Sequence, residues 1–212
     1  MTYGSVYEIT NKATTVAKYR FVDNFSGRKV DERWTTNAFA GGTMDMSDTI
    51  NCGVYLASST SNNARLALTF NNLYQFDQTG SSIIMVTALD KNGSTGNYGC
   101  NCGFLGGAYN ATTESDSALL KNNTAEGSNM QFFTKNGSSG VTDTGIVVRD
   151  TNTFFTTKID LGTLASCSLD GVLVAQRSVL PNKAVMPYIQ NIMYSGGVST
   201  ISHISYCEAY NT

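Results

Sequence analysis

Apolar and polar residues alternate along several short segments of the chain, as they do in β-strands that bury one face. Between residues 64 and 71, one side of an extended chain carries Ala64, Leu66, Leu68 and Phe70, and the other carries Arg65, Ala67, Thr69 and Asn71. We therefore predict a half-buried strand here. Residues 82–89 are almost continuously apolar and are followed by turn-forming residues at 90–97, which predicts a central strand ending in a loop.

Other short segments have the composition of strands, because they are rich in β-branched, aromatic and apolar residues. They are residues 19–22, 49–56, 98–105, 130–134, 145–149, 152–160, 163–174, 184–190 and 201–210. Asp170 and Gly171 lie within 163–174, and because Asp-Gly readily adopts the positive φ angles of a tight turn, this segment predicts a β-hairpin. Pro187 has no backbone N–H, which favours a sheet edge for 184–190.

Little of the sequence predicts helix. Only residues 112–122 favour a helical turn or two, inside a long loop at 106–128. A series of short strands with little helix between them pairs in antiparallel fashion, and two facing sheets bury the apolar sides. The predicted fold is an all-β, two-sheet antiparallel β-sandwich of the jelly-roll kind.

Length and charge limit the organisation of the chain and its partners. Its 212 residues suit one sandwich domain, predicted over 18–212, after an N-terminal arm or first strand at 1–17. The formal net charge is −2 and the basic residues do not cluster, so neither nucleic acid nor a membrane is an expected partner. The N-terminus lacks the features of a secretory signal, and no segment is apolar enough to span a membrane.

The five cysteines form an odd set without regular spacing: Cys52, Cys100, Cys102, Cys167 and Cys207. A chain of this size holds a core without disulfides, so we expect reduced thiols in a cytoplasm-like compartment. Cys100 and Cys102 are too close for a C-x-x-C redox motif and should share one face of a strand.

Near the N-terminus, Asp23, Phe25, Gly27, Asp31 and Trp34 form a D-x-F-x-G…D-x-x-W pattern. The pattern resembles the opening of concanavalin A-like lectin and glucanase domains. Four later segments resemble the last hairpin and strands of such domains: residues 168–177, 180–181, 186–188 and 204–210. In that family, this succession of segments is frequent among structural proteins of tailed bacteriophages. Independently of the family, Asp23 and Gly27 bracket a turn, and Phe25 and Trp34 tie the first strand into the core.

The residues that would make an enzyme are missing. Glucanases of this family carry an E-x-D-x-E strand whose alternate carboxylates face one cleft, and that motif is absent. The single histidine, His203, excludes multi-histidine metal sites, and we expect a structural or surface role for it. Asp45 and Asp48 could hold a calcium ion, as in related domains, but without an EF-hand pattern solvated loop acids are expected. No catalytic residue, cofactor or metal is predicted.

The leading functional hypothesis is a non-catalytic virion structural protein, a capsid decoration or cement subunit of a tailed phage. Such a protein is made in the host cytoplasm, contacts the major capsid protein or other virion proteins, and is expected to be a homo-oligomer, with a trimer as the natural guess. Tyr3, Tyr7 and Ile9 would share one face of an extended arm and could add to a partner's sheet edge. The alternatives for this arm are a disordered tail or a strand of the same domain.

The alternative function is a carbohydrate-binding module, for example one on a tail fibre that recognises a host surface glycan. A lectin face needs aromatic platforms and a few polar groups, which tyrosines such as Tyr55, Tyr74, Tyr98 and Tyr109 could supply. The same tyrosines are ordinary in β-sheets and at protein interfaces. A hydrolase with unrecognised residues is a third hypothesis.

Overall fold

A computed structural model describes residues 19–26, 30–46, 53–57, 59–70, 76–90, 98–107, 109, 116–123, 129–137, 140–148, 153–195 and 201–211. Within these ranges the chain forms fifteen strands: β1 (Arg20–Asp23), β2 (Trp34–Phe39), β3 (Thr43–Met46), β4 (Val54–Ala57), β5 (Ala64–Phe70), β6 (Ser81–Asp90), β7 (Tyr98–Gly106), β8 (Asp116–Asn123), β9 (Asn129–Asn136), β10 (Gly140–Val148), β11 (Phe155–Leu161), β12 (Ala165–Leu169), β13 (Val172–Arg177), β14 (Val185–Met193) and β15 (Ile201–Asn211). None of the described segments is a helix long and apolar enough to cross a membrane.

The strands form two antiparallel sheets. The eight-stranded sheet has the order β13-β12-β11-β6-β15-β4-β3, and β1 pairs with the end of β15 beyond β4. The seven-stranded sheet has the order β10-β9-β8-β7-β14-β5-β2. The apolar side chains that the two sheets turn toward each other form one continuous core. The predicted two-sheet antiparallel sandwich is therefore confirmed.

The hairpin predicted at Asp170-Gly171 is confirmed and joins β12 to β13. Asp170 has a φ of 47° and Gly171 a φ of 82°, the positive pair that a two-residue turn of this kind requires. Asp170 also fixes the turn to the neighbouring strand, because its N–H donates to the carbonyl of Thr156 (2.9 Å) and its carboxylate accepts from the Thr156 N–H (2.8 Å).

The helical turn predicted at 112–122, inside a loop at 106–128, is wrong. Residues 116–123 are strand β8, which pairs with β7 on one side and β9 on the other. Ala118, Leu119 and Leu120 have good helix propensity, but hydrogen bonding from two neighbouring strands and complete burial override that weak local preference.

The edge position predicted for the strand containing Pro187 is also wrong. Strand β14 is central, between β7 and β5, and all nine of its residues are buried. Val185 exchanges both backbone hydrogen bonds with Phe76, on the side of β14 that faces β5. The backbone nitrogen of Pro187, two residues further along, faces this same side. The β5 ladder begins only at Tyr188, so Pro187 occupies the gap between that ladder and the Phe76 bridge, where no N–H is required.

Strand β5 is buried on both faces, although its alternating pattern predicted one exposed face. Ala67 and Thr69 are buried together with Leu66 and Leu68. The outer side of this strand is thus covered, and the prediction that Ala67 and Thr69 face solvent is wrong. The short strands β2 and β3 were not predicted at all.

An aromatic cluster ties β1 and the following turn into the core, as the N-terminal motif predicts. Trp34 packs edge-on against Phe21, with ring centroids 5.7 Å apart, and Phe25 lies 5.8 Å from Trp34. The Asp23 carboxylate accepts hydrogen bonds from the Phe25 N–H (2.7 Å) and the Trp34 indole N–H (2.8 Å). Burial raises the pKa of Asp23 above its ordinary value, against the effect of these two donors. Gly27 lies outside the described residues.

The four described cysteines are free thiols buried between the sheets: Cys100, Cys102, Cys167 and Cys207. Cys100 and Cys102 share the inner face of β7, as predicted. Burial raises the pKa of Cys100 to about 11 and that of Cys167 to about 12, so both are protonated at neutral pH. Cys52 lies outside the described residues.

Candidate functional site

The outer face of the seven-stranded sheet carries the most organised set of polar and aromatic groups in the described chain. The two faces are distinguished at β14, where the Asn191 side chain donates to the carbonyl of Leu56 across the sandwich (2.7 Å) and so points inward. Side chains alternate along a strand, so Gln190 and Tyr188 belong to the outer face.

One row of directly opposed outer positions crosses the seven-stranded sheet. We call it the polar row, and in sheet order from β2 to β9 it consists of Asn37, Ala67, Gln190, Asn101, Lys121 and Gln131. Five of these six residues carry a hydrogen-bonding side chain, and four carry a side-chain amide. Amide groups both donate and accept hydrogen bonds.

A second row lies two residues away along each strand and is richer in apolar groups. This aromatic row consists of Thr35, Thr69, Tyr188, Leu119 and Phe133. Gly103 interrupts it between Tyr188 and Leu119, because its positive φ would turn a Cβ toward Ile159 of the facing sheet. Ala67, Gln190, Asn101 and Gln131 of the polar row and Thr69, Tyr188 and Leu119 of the aromatic row are buried. Lys121, Phe133 and Asn37 are half-buried, so the accessible part of the two rows combines an aromatic ring with hydrogen-bonding groups, which is the combination that small-molecule sites require.

Tyr109, just after β7, covers the middle of both rows. Its ring lies 6.2 Å from the ring of Tyr188, at an interplanar angle of 41°. Its hydroxyl accepts a hydrogen bond from the Gln190 side-chain amide (3.4 Å). Tyr188 and Gln190 are buried, whereas Tyr109 is half-buried. The two buried residues therefore hold Tyr109 in place and leave part of its ring accessible.

A second accessible group lies on β8 and β9. The Lys121 ammonium sits 3.9 Å from the centre of the Phe133 ring, a cation–π contact, and both side chains are half-buried. Gly140 of β10 lies beside this ring, where a Cβ would come within 3.4 Å of the ring edge. Because residue 140 is glycine, it places no side chain against that edge of Phe133.

Solved structures with the same architecture identify the fold. No family model and no curated protein sequence matches the chain. The carbohydrate recognition domain of Emp47p is similar over 91% of this chain and 94% of its own, with a TM-score of 0.63 and 15% identity. A protein of unknown function, SO2946 from Shewanella oneidensis, is similar over 96% and 90%, with a TM-score of 0.69 and 12% identity. A glycoside hydrolase family 16 endo-glucanase from Bacteroides ovatus is similar over 88% and 98%, with a TM-score of 0.62 and 11% identity.

The fold is the concanavalin A-like jelly roll. The resemblance proposed from the residues at the two ends of the chain is thus confirmed at the level of fold. The similar structures include both lectin-type and hydrolase domains, and at these identities they show the architecture alone.

The jelly roll does not bring together the four tyrosines considered for a lectin face. Tyr109 lies over the seven-stranded sheet. Tyr55 belongs to β4 of the eight-stranded sheet, while Tyr98 begins β7 of the seven-stranded one, and the side chains of both are outside the described part. Tyr74 lies outside the described residues. Of these four, Tyr109 is the one whose described side chain lies at the site.

The other predicted residues do not join this surface. His203 is half-buried on β15, and its ring meets the Phe154 ring edge-on at 6.2 Å, which agrees with the structural or surface role expected for it. The side chain of Asp45, the whole of Asp48 and the arm residues Tyr3, Tyr7 and Ile9 are not among those described. Within the described ranges, no three His, Cys, Asp or Glu side chains form a group that could hold a metal ion.

The polar row of the jelly roll was missed by sequence reasoning, although it leaves a signal. Asn101 stands between two buried cysteines, Gln131 follows Met130, and Gln190 lies within the apolar strand β14. A single amide inside an otherwise apolar strand is costly to bury unless it is hydrogen-bonded. Three such amides in three strands indicate a shared polar layer, but only the register shows that they are adjacent.

Proposed function

We propose that this chain binds carbohydrate, without hydrolysing it, through the outer face of the seven-stranded sheet. The observation that carries the proposal is the fixed Tyr109 ring above the polar row. A sugar presents an apolar face that stacks on an aromatic ring and hydroxyl groups around its edge that need hydrogen-bonding partners. A ring held in place by Tyr188 and Gln190 loses little conformational entropy when a ligand binds, which favours affinity.

The residues of this face support binding without hydrolysis. Among its described outer positions there is no aspartate or glutamate, since Asp116 and Asp143 occupy register positions of the inner set. Retaining and inverting glycosidases generally need two carboxyl groups beside the scissile bond. The similar carbohydrate recognition domain of Emp47p adds support from the fold, while the similar endo-glucanase makes hydrolysis the competing reading.

A binding experiment with two aromatic variants tests the proposal. The wild type is screened on a glycan array, and the best ligand is titrated by calorimetry against Tyr109→Ala and Phe154→Ala. Phe154 is an exposed aromatic residue that directly precedes β11 and contacts His203 of the eight-stranded sheet, and it serves as the matched control. We expect Tyr109→Ala to weaken binding about 10-fold, because an aromatic contact contributes about 1.4 kcal/mol. Phe154→Ala should bind as the wild type does.

Two results would overturn this function. Equal loss of affinity in both variants, or none in Tyr109→Ala, would remove the site from the outer face. Release of new reducing ends from the bound polysaccharide over prolonged incubation would make the protein a hydrolase.

A second candidate, the capsid decoration protein, is favoured by an exposed apolar edge. Val172 and Leu173 are 65% and 54% exposed on β13, the outermost strand of the eight-stranded sheet. Exposed apolar residues on an edge strand suit contact with another protein. If this function is right, the purified protein should bind assembled capsids and raise their resistance to heat or osmotic shock. Capsids that bind the protein with unchanged resistance would count against it.

A further inference from the structure

The outer face of the eight-stranded sheet is defined by residues that alternate with core residues. Ile159 of β11 and Cys207 of β15 are fully buried in the core, so their neighbours along each strand point to the other side of the sheet. Lys158, Asp160 and Glu208 therefore lie on the outer face. Strand β6 lies between β11 and β15.

One row of this face places opposite charges on the two sides of β6. Ile84 of β6 is directly opposed by Lys158 of β11 on one side and by Glu208 of β15 on the other. Neighbouring strands lie about 4.8 Å apart, so the positive and the negative position are equally far from β6. All three side chains are half-buried. This row is thus basic on the β11 side and acidic on the β15 side.

The next row along the strands has the opposite sense. Ser82 of β6 is opposed by Asp160 of β11 on one side and by Tyr210 of β15 on the other. Tyr210 is in turn opposed by Arg20 of β1. This row is therefore acidic on the β11 side and carries a phenol hydroxyl and a basic residue on the β15 side.

Contacts within the chain hold these charged groups in place. Lys158 pairs with Asp160 at 2.9 Å on the β11 side. On the β15 side, Arg20 pairs with one carboxylate oxygen of Glu208 at 2.8 Å, and the Tyr206 hydroxyl donates to the other at 2.6 Å. The alternation of charge across β6 is therefore fixed by the structure of the sheet.

A pattern that reverses its sign across β6 is complementary to itself. A two-fold axis that lies against this face, roughly along β6, exchanges the β11 side of one copy with the β15 side of the other. Lys158 of one copy then faces Glu208 of the second copy. Asp160 faces Tyr210 and Arg20 of the second copy, and each contact occurs twice. Sheets packed face to face cross at about 30°, which keeps these long side chains within reach.

The middle of the face is apolar, and its size suits a stable dimer. Ile84 and Val86 of β6, both half-buried, lie at the axis and meet their own copies. The five strand positions from β12 to β1 span about 24 Å, and the four outer positions of β6 at 82, 84, 86 and 88 span about 27 Å. Two such faces cover on the order of 1,300 Å², within the range of about 1,200–2,000 Å² of specific interfaces.

We propose that the outer face of the eight-stranded sheet is a dimer interface, on which a second copy of this chain packs about a two-fold axis along β6. The seven-stranded sheets of the two copies then face away from each other, so the carbohydrate face proposed above lies on both outer sides of the dimer. The inference does not depend on that function, because it uses only residues of the other sheet.

Analytical ultracentrifugation across the micromolar range of protein concentration tests the dimer and its surface. We expect the wild type to form a dimer. Lys158→Glu and Glu208→Lys each turn two attractive contacts into repulsive ones, because the axis repeats them, and each should raise the dissociation constant about 30-fold. Lys135→Glu makes the same change of charge on the seven-stranded sheet and should associate as the wild type does. Thermal unfolding checks that each variant is folded.

Mixing the two reversed variants tests the pairing itself. In a mixed dimer, the new carboxylate at position 158 of one copy faces the new ammonium at position 208 of the other, and the two unchanged residues form the second attractive pair. Fluorescently labelled Glu208→Lys should therefore enter dimers more readily with Lys158→Glu than with Lys135→Glu. These two partners have the same net charge, so the difference reports the position of the charge.

The outcomes decide the inference without reference to carbohydrate binding. A wild type that remains monomeric across the range, or that forms a trimer, would overturn it. A dimer that both charge reversals leave intact would use another surface and would also overturn it, as would a labelled variant that shows no preference between its partners. If a reversal lowers thermal stability, Lys158→Gln and Glu208→Gln replace it, and each should weaken the dimer about 5-fold. Unchanged association in both would have the same meaning.

Discussion

Two glycine-to-alanine substitutions test whether the sandwich is packed as described. Gly103 in β7 has a φ of +142°, and a Cβ added there would lie 2.7 Å from the Ile159 side chain and in closer contact still with the carbonyl of Ala118. Gly171 in the β12–β13 turn has a φ of +82°, but nothing lies within 4 Å of its Cβ position. Both positions have backbone strain for alanine, and only Gly103 also has a steric clash.

The two changes should therefore differ in size. At Gly171 the cost is the strain of a positive φ, about 1 kcal/mol. At Gly103 alanine has a comparable backbone strain and also overpacks against a buried strand and the facing sheet. Together these two effects should lower the free energy of unfolding by about 4 kcal/mol. The measurement is urea unfolding followed by tryptophan fluorescence, since Trp34 is buried in the core. The midpoint should fall several times further for Gly103→Ala, with an unchanged slope.

Equal and small losses in the two variants would refute the packing of β7 against β11. That result would mean that Ile159 does not lie beneath Gly103.

Three further predictions follow from individual contacts. Burial raises the pKa of Asp23 above its ordinary 3.8, so the folded state binds this proton more tightly than the unfolded chain does. Lowering the pH toward about 4 should therefore stabilise the wild type relative to Asp23→Asn. Urea unfolding of both proteins across this pH range measures the difference. Arg20→Ala removes an ion pair whose arginine is half exposed, and it should cost about 1 kcal/mol or less of unfolding free energy, with a smaller cost at high salt, as measured by urea unfolding. The thiols between the sheets should resist iodoacetamide at pH 8 in the native protein and react after unfolding, as counted by mass spectrometry; native labelling would contradict their burial at Cys100, Cys102, Cys167 and Cys207.

The sequence predicts the fold well where local chemistry decides the structure. The Asp170-Gly171 turn needs two positive φ angles, and these residues tolerate them. The Asp23, Phe25 and Trp34 motif works through contacts within a few residues and an aromatic cluster, so its role is visible in the sequence. The edge position predicted from Pro187 is wrong, because the proline lies at a gap in the pairing between β14 and β5. Only the register of the sheet reveals that gap.

The candidate site is less visible in the sequence because it is built from register. Gln190 and Asn101 are 89 residues apart in the chain but directly opposed in the sheet, and neither has a motif around it. Tyr109 is one of four candidate tyrosines that the sequence does not distinguish, and its partners Tyr188 and Gln190 belong to a strand whose proline predicts an edge position. Strand order and register are set by long-range pairing, which composition and periodicity do not encode.

The most direct test of carbohydrate binding is an NMR titration of the isotope-labelled protein with the best oligosaccharide ligand. We predict that the resonances that shift belong to the outer face of the seven-stranded sheet, with the Gln190 and Asn101 side-chain amides and the backbone amides of Lys121 and Phe133 among them. Shifts confined to the eight-stranded sheet, or none at saturating oligosaccharide, would contradict the account.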